Sequence, residues 1–157
     1  MITYRPLKEE DLEFFNATRN ECREFLHDNR EFTLEQTKEW FKSLPLNQKY
    51  YIITNGAQSL GYIRTNELNT EAWEIGMDLT EKFRGLGIAH TMYKKFMHEH
   101  PEPRVWVLEV LATNLPAYNL YRKLGFNHAE DEGINDVERN GRFIPSIPMY
   151  RYRYSNG

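Results

Sequence analysis

The chain has 157 residues, with 23 acidic and 20 basic side chains, a net charge of −3 and one cysteine. That length suits a single domain over residues 1–157, large enough to bury a sizeable core. The sequence has no basic block interleaved with aromatics to hold a nucleic acid, no apolar run of membrane length and no signal segment, and one cysteine excludes an internal disulfide, so a cytoplasmic protein is expected.

In chain order, residues 2–5 read as a first strand. Residues 11–25 read as a helix, with Leu12, Phe15 and Cys22 at near-helical spacing. Cys22 in that pattern reads as a small buried hydrophobe rather than a nucleophile. Thr33 and Gln36 form a capping-box pattern, and Leu34, Trp40, Phe41 and Leu44 give an apolar face behind it. Strands over 50–54 and 60–65 flank the turn signal Asn55-Gly56. Further strands cover 72–79 and 104–110. Between them, residues 88–100 repeat Ile88, Met92 and Phe96 at helical spacing. A short helix over 115–124 has Pro116 near its start and Gly125 just past its end. The last strands are expected over 126–130 and from 144 to about 153. The polar stretch 131–142 between them reads as a long loop. The result is an α/β fold, a mixed sheet with helices on both faces.

The segment Arg84-Gly85-Leu86-Gly87-Ile88-Ala89 joins the fourth strand to a helix. Two glycines allow a tight turn and a close approach of a ligand to the main chain. The helix start adds free N–H groups and the positive end of its dipole, which suits an anion such as a phosphate. Arg84 adds a charged donor fork at the lip. A Walker loop is excluded because no Gly-Lys-Ser/Thr triplet occurs. A Rossmann fingerprint is excluded because His90 stands where a third glycine or alanine is required. A third pattern, Arg/Gln-x-x-Gly-x-Gly/Ala, is met at every specified position.

That pattern resembles motif A of the GCN5-related N-acetyltransferase (GNAT) superfamily. Strand 105–110 followed by Asn114, Ala117, Tyr121 and Gly125-Phe126 is similar to its motif B. The two motifs stand in the family's order, at about 72–100 and 104–126, and Tyr4-Arg5-Pro6-Leu7 with Asp11-Leu12 resembles the family's opening. The resemblance implies a GNAT-like domain in which two central parallel strands splay to admit acetyl-CoA. It implies that Arg84, Gly85, Leu86, Gly87, Ile88 and Ala89 hold the pyrophosphate. Met77, Asp78 and Leu79 would pair through main chain with the pantetheine arm. A backbone N–H near Met77 would steady the acyl oxyanion. Asn114 and Ala117 would touch the same arm, although Asn114 also reads as a plain helix N-cap.

Tyr121 matches the family tyrosine that protonates the departing thiolate, and a phenol can donate that proton. It also lies on a helical stripe with Ala117, Leu120 and Leu124, which fits a core tyrosine; Tyr118 is a bystander. An acceptor amine must lose a proton before it attacks, which calls for a base. Glu74 and Glu109 are acids inside otherwise apolar strands, and apolar surroundings favour the protonated carboxyl that a base must form. Glu74, within Glu74-Ile75-Gly76, is preferred. His98-Glu99-His100 lacks the spacing of a helical metal site and reads as favourable charge at a helix end. Tyr150, Tyr152 and Tyr154 alternate as in a half-buried strand.

Acceptor specificity falls to segments 23–32 and 131–142, whose polar side chains suit an amino sugar, an amino acid or a protein N-terminus. The expected activity is acetyl transfer from acetyl-CoA to a primary amine of a small molecule or peptide, in a ternary complex. The competing reading is a silent acyl-CoA-binding module. A homodimer is compatible with either.

Overall fold

A computed structural model describes residues 1–153. It has eight strands: β1 (Thr3–Pro6), β2 (Gln48–Thr54), β3 (Ser59–Glu67), β4 (Ala72–Leu79), β5 (Val105–Leu111), β6 (Asn127–His128), β7 (Asn135–Arg139) and β8 (Arg142–Tyr152). Four α-helices join them: α1 (Leu12–Glu21), α2 (Leu34–Lys42), α3 (Ile88–Glu99) and α4 (Leu115–Lys123). All eight strands form one sheet in the order β1-β2-β3-β4-β5-β8-β6, with β7 on β8. The β4–β5 pair is parallel and the other pairs are antiparallel.

Helices cover both faces, as the sequence predicts. On one face, Met92, Tyr93, Phe96 and Met97 of α3 pack with Leu124 on Trp73, Ile75, Trp106, Leu108 and Val110. On the other, Leu12 and Phe15 of α1 pack with Ile52 and Tyr62, and Trp40 and Phe41 of α2 close over them. The alternation of β4 decides its placement: odd residues enter the α3 core, and Glu74, Gly76 and Asp78 face the α1–α2 side.

Three local expectations change. The helix expected over 11–25 is α1 alone, and Arg23–Phe25 forms a separate 3₁₀ turn. The expected strand over 126–130 shortens to β6. The segment 131–142 is no long loop: β7 pairs with β8 in a hairpin closed by Asn140 and Gly141, both at positive φ. Thr33 makes the predicted capping box with Gln36. Tyr154 lies outside the described residues.

Candidate active site

β4 and β5 pair from Ala72↔Val105 to Glu74↔Val107, and there the ladder stops. Beyond it the two strands diverge and leave a gap. The Thr80 N–H donates to the Leu60 carbonyl (2.9 Å). In an antiparallel ladder the main-chain groups alternate sides. Those of Asp78 and Gly76 are therefore committed to β3, and those of Met77 and Leu79 face the gap. Asp78 does not offer its main chain there, contrary to the expectation. The Leu79 carbonyl is already taken, by Arg84 Nε at 3.0 Å and by the Cys22 thiol at 3.4 Å.

Past β4 the chain makes a 3₁₀ turn over Glu81–Phe83 and reaches Gly85 (φ 73°) and Gly87 (φ 82°). A Cβ at either would meet nothing within 4 Å, so backbone conformation and not crowding selects glycine. Gly87 is the N-cap of α3, and the first intrahelical bond runs from the Thr91 N–H to its carbonyl at 3.2 Å. The preceding amides, from Gly87 to His90, have no intrahelical acceptor. Arg84 stands just before this turn. Its guanidinium turns inward to Leu79, to Cys22 Sγ (3.0 Å) and to Glu21 (3.6 Å), and so ties the end of α1 to the end of β4. Cys22 is buried, and burial, then the charge of Asp78, pushes its thiol up to about 11. It is a packed thiol, not a nucleophile.

α4 brings Tyr121 to the gap. Its hydroxyl lies 3.2 Å from that of Tyr93 on α3, and the two rings meet edge to face at 5.7 Å. Burial raises the Tyr121 phenol above its usual value, so it stays protonated at neutral pH. Tyr121 also lines a cavity on the opposite face of the sheet, so its side chain looks through the gap. Asn114 caps α4 by accepting from the Ala117 N–H at 3.4 Å. Ala117 and Tyr118 are half-buried against the core.

The cavity has a volume of about 1200 Å³, between the sheet, α1, α2 and the segment that links them. Glu74 and Glu109 both line it. They sit on the cavity face of their strands rather than among the apolar side chains that flank them in sequence. Three functional candidates were not singled out by sequence. His27, in the linking segment, places Nε2 2.5 Å from Ser146 Oγ and 3.9 Å from Glu109 Oε2. Burial lowers its proton affinity, against the pull of Glu109, so it is mostly neutral at pH 7. Arg139 of β7 donates to the carbonyls of Leu26 and His27 and fixes that segment. Arg64 of β3 stands in the cavity wall beside Gly76. His100, by contrast, stacks on Phe96 and bonds the Phe96 carbonyl through Nδ1 (2.8 Å), closing α3.

Beside this geometry of a split parallel pair, a glycine turn into a helix start and a tyrosine in the split, the sequence over residues 2–127 matches a family model for the acetyltransferase (GNAT) domain. The chain belongs to that family. No curated protein matches its sequence. Solved structures of the same fold include a spermidine N-acetyltransferase from Vibrio cholerae in complex with CoA and spermine. It is 20% identical, with a TM-score of 0.85 over 97% of this chain and 95% of that one. A ribosomal-protein-alanine N-acetyltransferase from Brucella melitensis is 19% identical, with a TM-score of 0.80 over 96% and 99%. A Salmonella typhimurium structure with its cofactor acetyl-CoA is 14% identical, with a TM-score of 0.81 over 100% and 96%.

Acetyl-CoA is thus the co-substrate of this acetyltransferase, and the geometry fits it. The glycine turn is open above both glycines, and the helix start presents unpaired amides to a pyrophosphate. Among the described residues no helix is long and apolar enough to cross a membrane.

Proposed function

We propose that this acetyltransferase moves the acetyl group of acetyl-CoA to a primary amine of a small molecule or a protein N-terminus by direct attack in a ternary complex, as a cytoplasmic enzyme. The observation that carries the reading is Tyr121, which meets Tyr93 of the α3 core through its hydroxyl and also lines the cavity on the opposite face of the sheet. One side group therefore meets both substrates. Acetyl-CoA supplies an activated acyl carbon and a thiolate leaving group. The main-chain amides from Gly85 to Ala89 hold the pyrophosphate, and the gap-facing groups of Met77 with the N–H of Leu79 align the arm. The Met77 N–H donates to the acyl oxygen as that oxygen gains charge.

The amine enters from the cavity. Glu74, or Glu109 with His27 behind it, takes one amine proton, and the nitrogen lone pair then forms the new C–N bond. Tyr121 gives its proton to the sulfur as the C–S bond breaks. Its phenolate takes up the second proton, which the nitrogen sheds as it becomes the amide, directly or through Tyr93 or solvent. Arg84 acts as a brace for the turn, and Asn114 and Ala117 set the start of α4 beside the gap.

The test is a panel of amines incubated with acetyl-CoA while free thiol is followed. Amine-dependent thiol release supports the reading. Tight acetyl-CoA binding with no release for any amine class would instead leave a silent acyl-CoA-binding module.

A further inference from the structure

Arg64 is a charge that the fold holds but does not bond. It sits mid-strand in β3, in register with Tyr50 of β2 and Gly76 of β4. Among the described residues no hydrogen bond reaches its guanidinium and no carboxylate lies within 4.0 Å of it. The other arginines that line the cavity are engaged: Arg19 bonds the carbonyls of Asp28 and Arg30, and Arg30 bonds the Asp28 carboxylate at 2.7 Å. A half-buried guanidinium without a partner is costly to maintain. Here the sheet makes room for it. A Cβ on Gly76 would stand 2.5 Å from Arg64 Cζ, so the guanidinium lies flat against the bare backbone of β4. Asp78 and Glu74 stabilise its charge from a distance, with burial opposing them.

The position matters as much as the charge. Gly76 is the neighbour of Met77, whose N–H faces the acyl site, and Glu74 is the next side chain on the same face of β4. An oxyanion on Arg64 therefore sits within a few bonds of an amine placed near Glu74 and aimed at the gap. We infer that the acceptor is a compact zwitterion, an amino acid with a free carboxylate close to its amine. The carboxylate forms a two-point pair with Arg64, and the ammonium faces Glu74 before deprotonation. A polyamine has no group for Arg64. A protein N-terminus presents a neutral peptide carbonyl where the carboxylate would be.

This inference rests on the acetyltransferase reading, and the experiment separates the two. Wild-type protein is given acetyl-CoA with each of the common α-amino acids, with their α-amides, and with spermidine, and thiol release is followed. At least one free acid is expected to exceed its amide in kcat/KM by about thirtyfold or more, the scale of a lost buried charge pair. Arg64→Met should collapse that acid-to-amide ratio towards one. Gly76→Ala, which keeps the charge but displaces the guanidinium, should lower the same ratio. Calorimetric binding of acetyl-CoA reports the cofactor site independently. Amides or spermidine used as well as the acids, no amino acid used at all, or Arg64→Met lowering acids and amides equally overturns the zwitterion. Loss of acetyl-CoA binding in the wild type would overturn the acetyltransferase reading itself.

Discussion

The two faces of β4 are built on different principles. The gap and the α3 face use main chain: a ladder that ends at Glu74↔Val107, two glycines at positive φ and the bare amides of a helix start. The cavity face uses side chains brought from distant segments: His27 from the α1–α2 link, Arg64 from β3, Glu74 from β4, Glu109 from β5. A main-chain device admits few sequence solutions, because only certain residues tolerate the required φ. A side-chain device can be assembled from many positions. A device of the first kind can serve many acceptors, whereas a wall of the second kind can be varied to suit one.

The sharpest way to break that contrast is Gly87→Glu. It forces a side chain into the left-handed region at the helix start and adds negative charge to an anion site. Acetyl-CoA binding should disappear in calorimetry, and so should the rise in melting temperature that acetyl-CoA gives the wild type by mass action. The α1–α2 face should stay folded. A variant that still binds acetyl-CoA normally would remove the pyrophosphate from this turn.

Tyr121 is the point where the two faces meet. Tyr121→Phe removes only the hydroxyl, with its bond to Tyr93. Turnover should fall by about ten- to a thousandfold, within the range of general acid catalysis. Acetyl-CoA affinity should hardly change. Turnover at the wild-type level would make Tyr121 a packing residue.

The same division decides what the sequence disclosed. Motif-bearing residues 84–89 and 114–126 lie where the pattern puts them, because their spacing is fixed by the turn and by α4. Side-chain direction was not legible. Arg84 matched the pattern, yet its guanidinium braces Leu79, Cys22 and Glu21. Glu74 and Glu109 looked buried from their neighbours, but strand alternation turns them to the cavity. Asn55-Gly56 was readable as a turn between apolar strands. The same dipeptide at Asn140-Gly141 was not, because β7 is Asn-Asp-Val-Glu-Arg and mostly exposed, with no apolar alternation. His27 and Arg64 carry no local signal; only the fold brings them together.

On the cavity face, Glu74→Gln tests the base. If Glu74 accepts the amine proton, the loss in kcat/KM should be largest at low pH, where the amine is protonated, and should shrink towards the amine's own pKa. Profiles from about pH 6 to 9.5 for both proteins decide it. A deficit that does not vary with pH makes Glu74 a positioning residue. No deficit assigns the proton to Glu109 and His27.

The wall of the cavity has its own anchor. Asp11 at the start of α1 accepts two bonds from Arg5 (2.7 and 2.8 Å) and one from the Lys8 N–H (2.8 Å). The bonds from Arg5 hold its carboxyl below the usual carboxylate range, against desolvation. A lowered folded pKa means the stabilisation is complete above the unfolded value near 4 and fades as pH falls through the folded one. Asp11→Asn should cost about 1–2 kcal/mol at pH 7, reduced from the buried-pair value because Arg5 is partly exposed. The difference from wild type should narrow as the medium is acidified below about pH 4. A deficit that stays constant into acid would mean that Asn disrupts packing and not an ion pair.

The mildest test reaches the cavity from outside. Gly141 holds φ at 79° in the β7–β8 turn, and a Cβ there would meet nothing within 4 Å. Gly141→Ala therefore costs conformational strain alone, about 1 kcal/mol, and lowers the melting temperature by about 2–4 °C. The hairpin matters to function through Arg139, the β7 residue beside this turn, which holds the carbonyls of Leu26 and His27. Loosening it frees the segment that carries the imidazole to Glu109. The KM for the acceptor should rise by at most about fivefold, the equivalent of that strain, and the KM for acetyl-CoA should not move. Arg139→Met, which leaves the turn intact, should reproduce the acceptor effect without the full loss of melting temperature. If both substrates weaken together, the two faces of β4 are mechanically one; if only the acceptor weakens, the cavity is set independently of the gap by a hairpin remote from the family motifs.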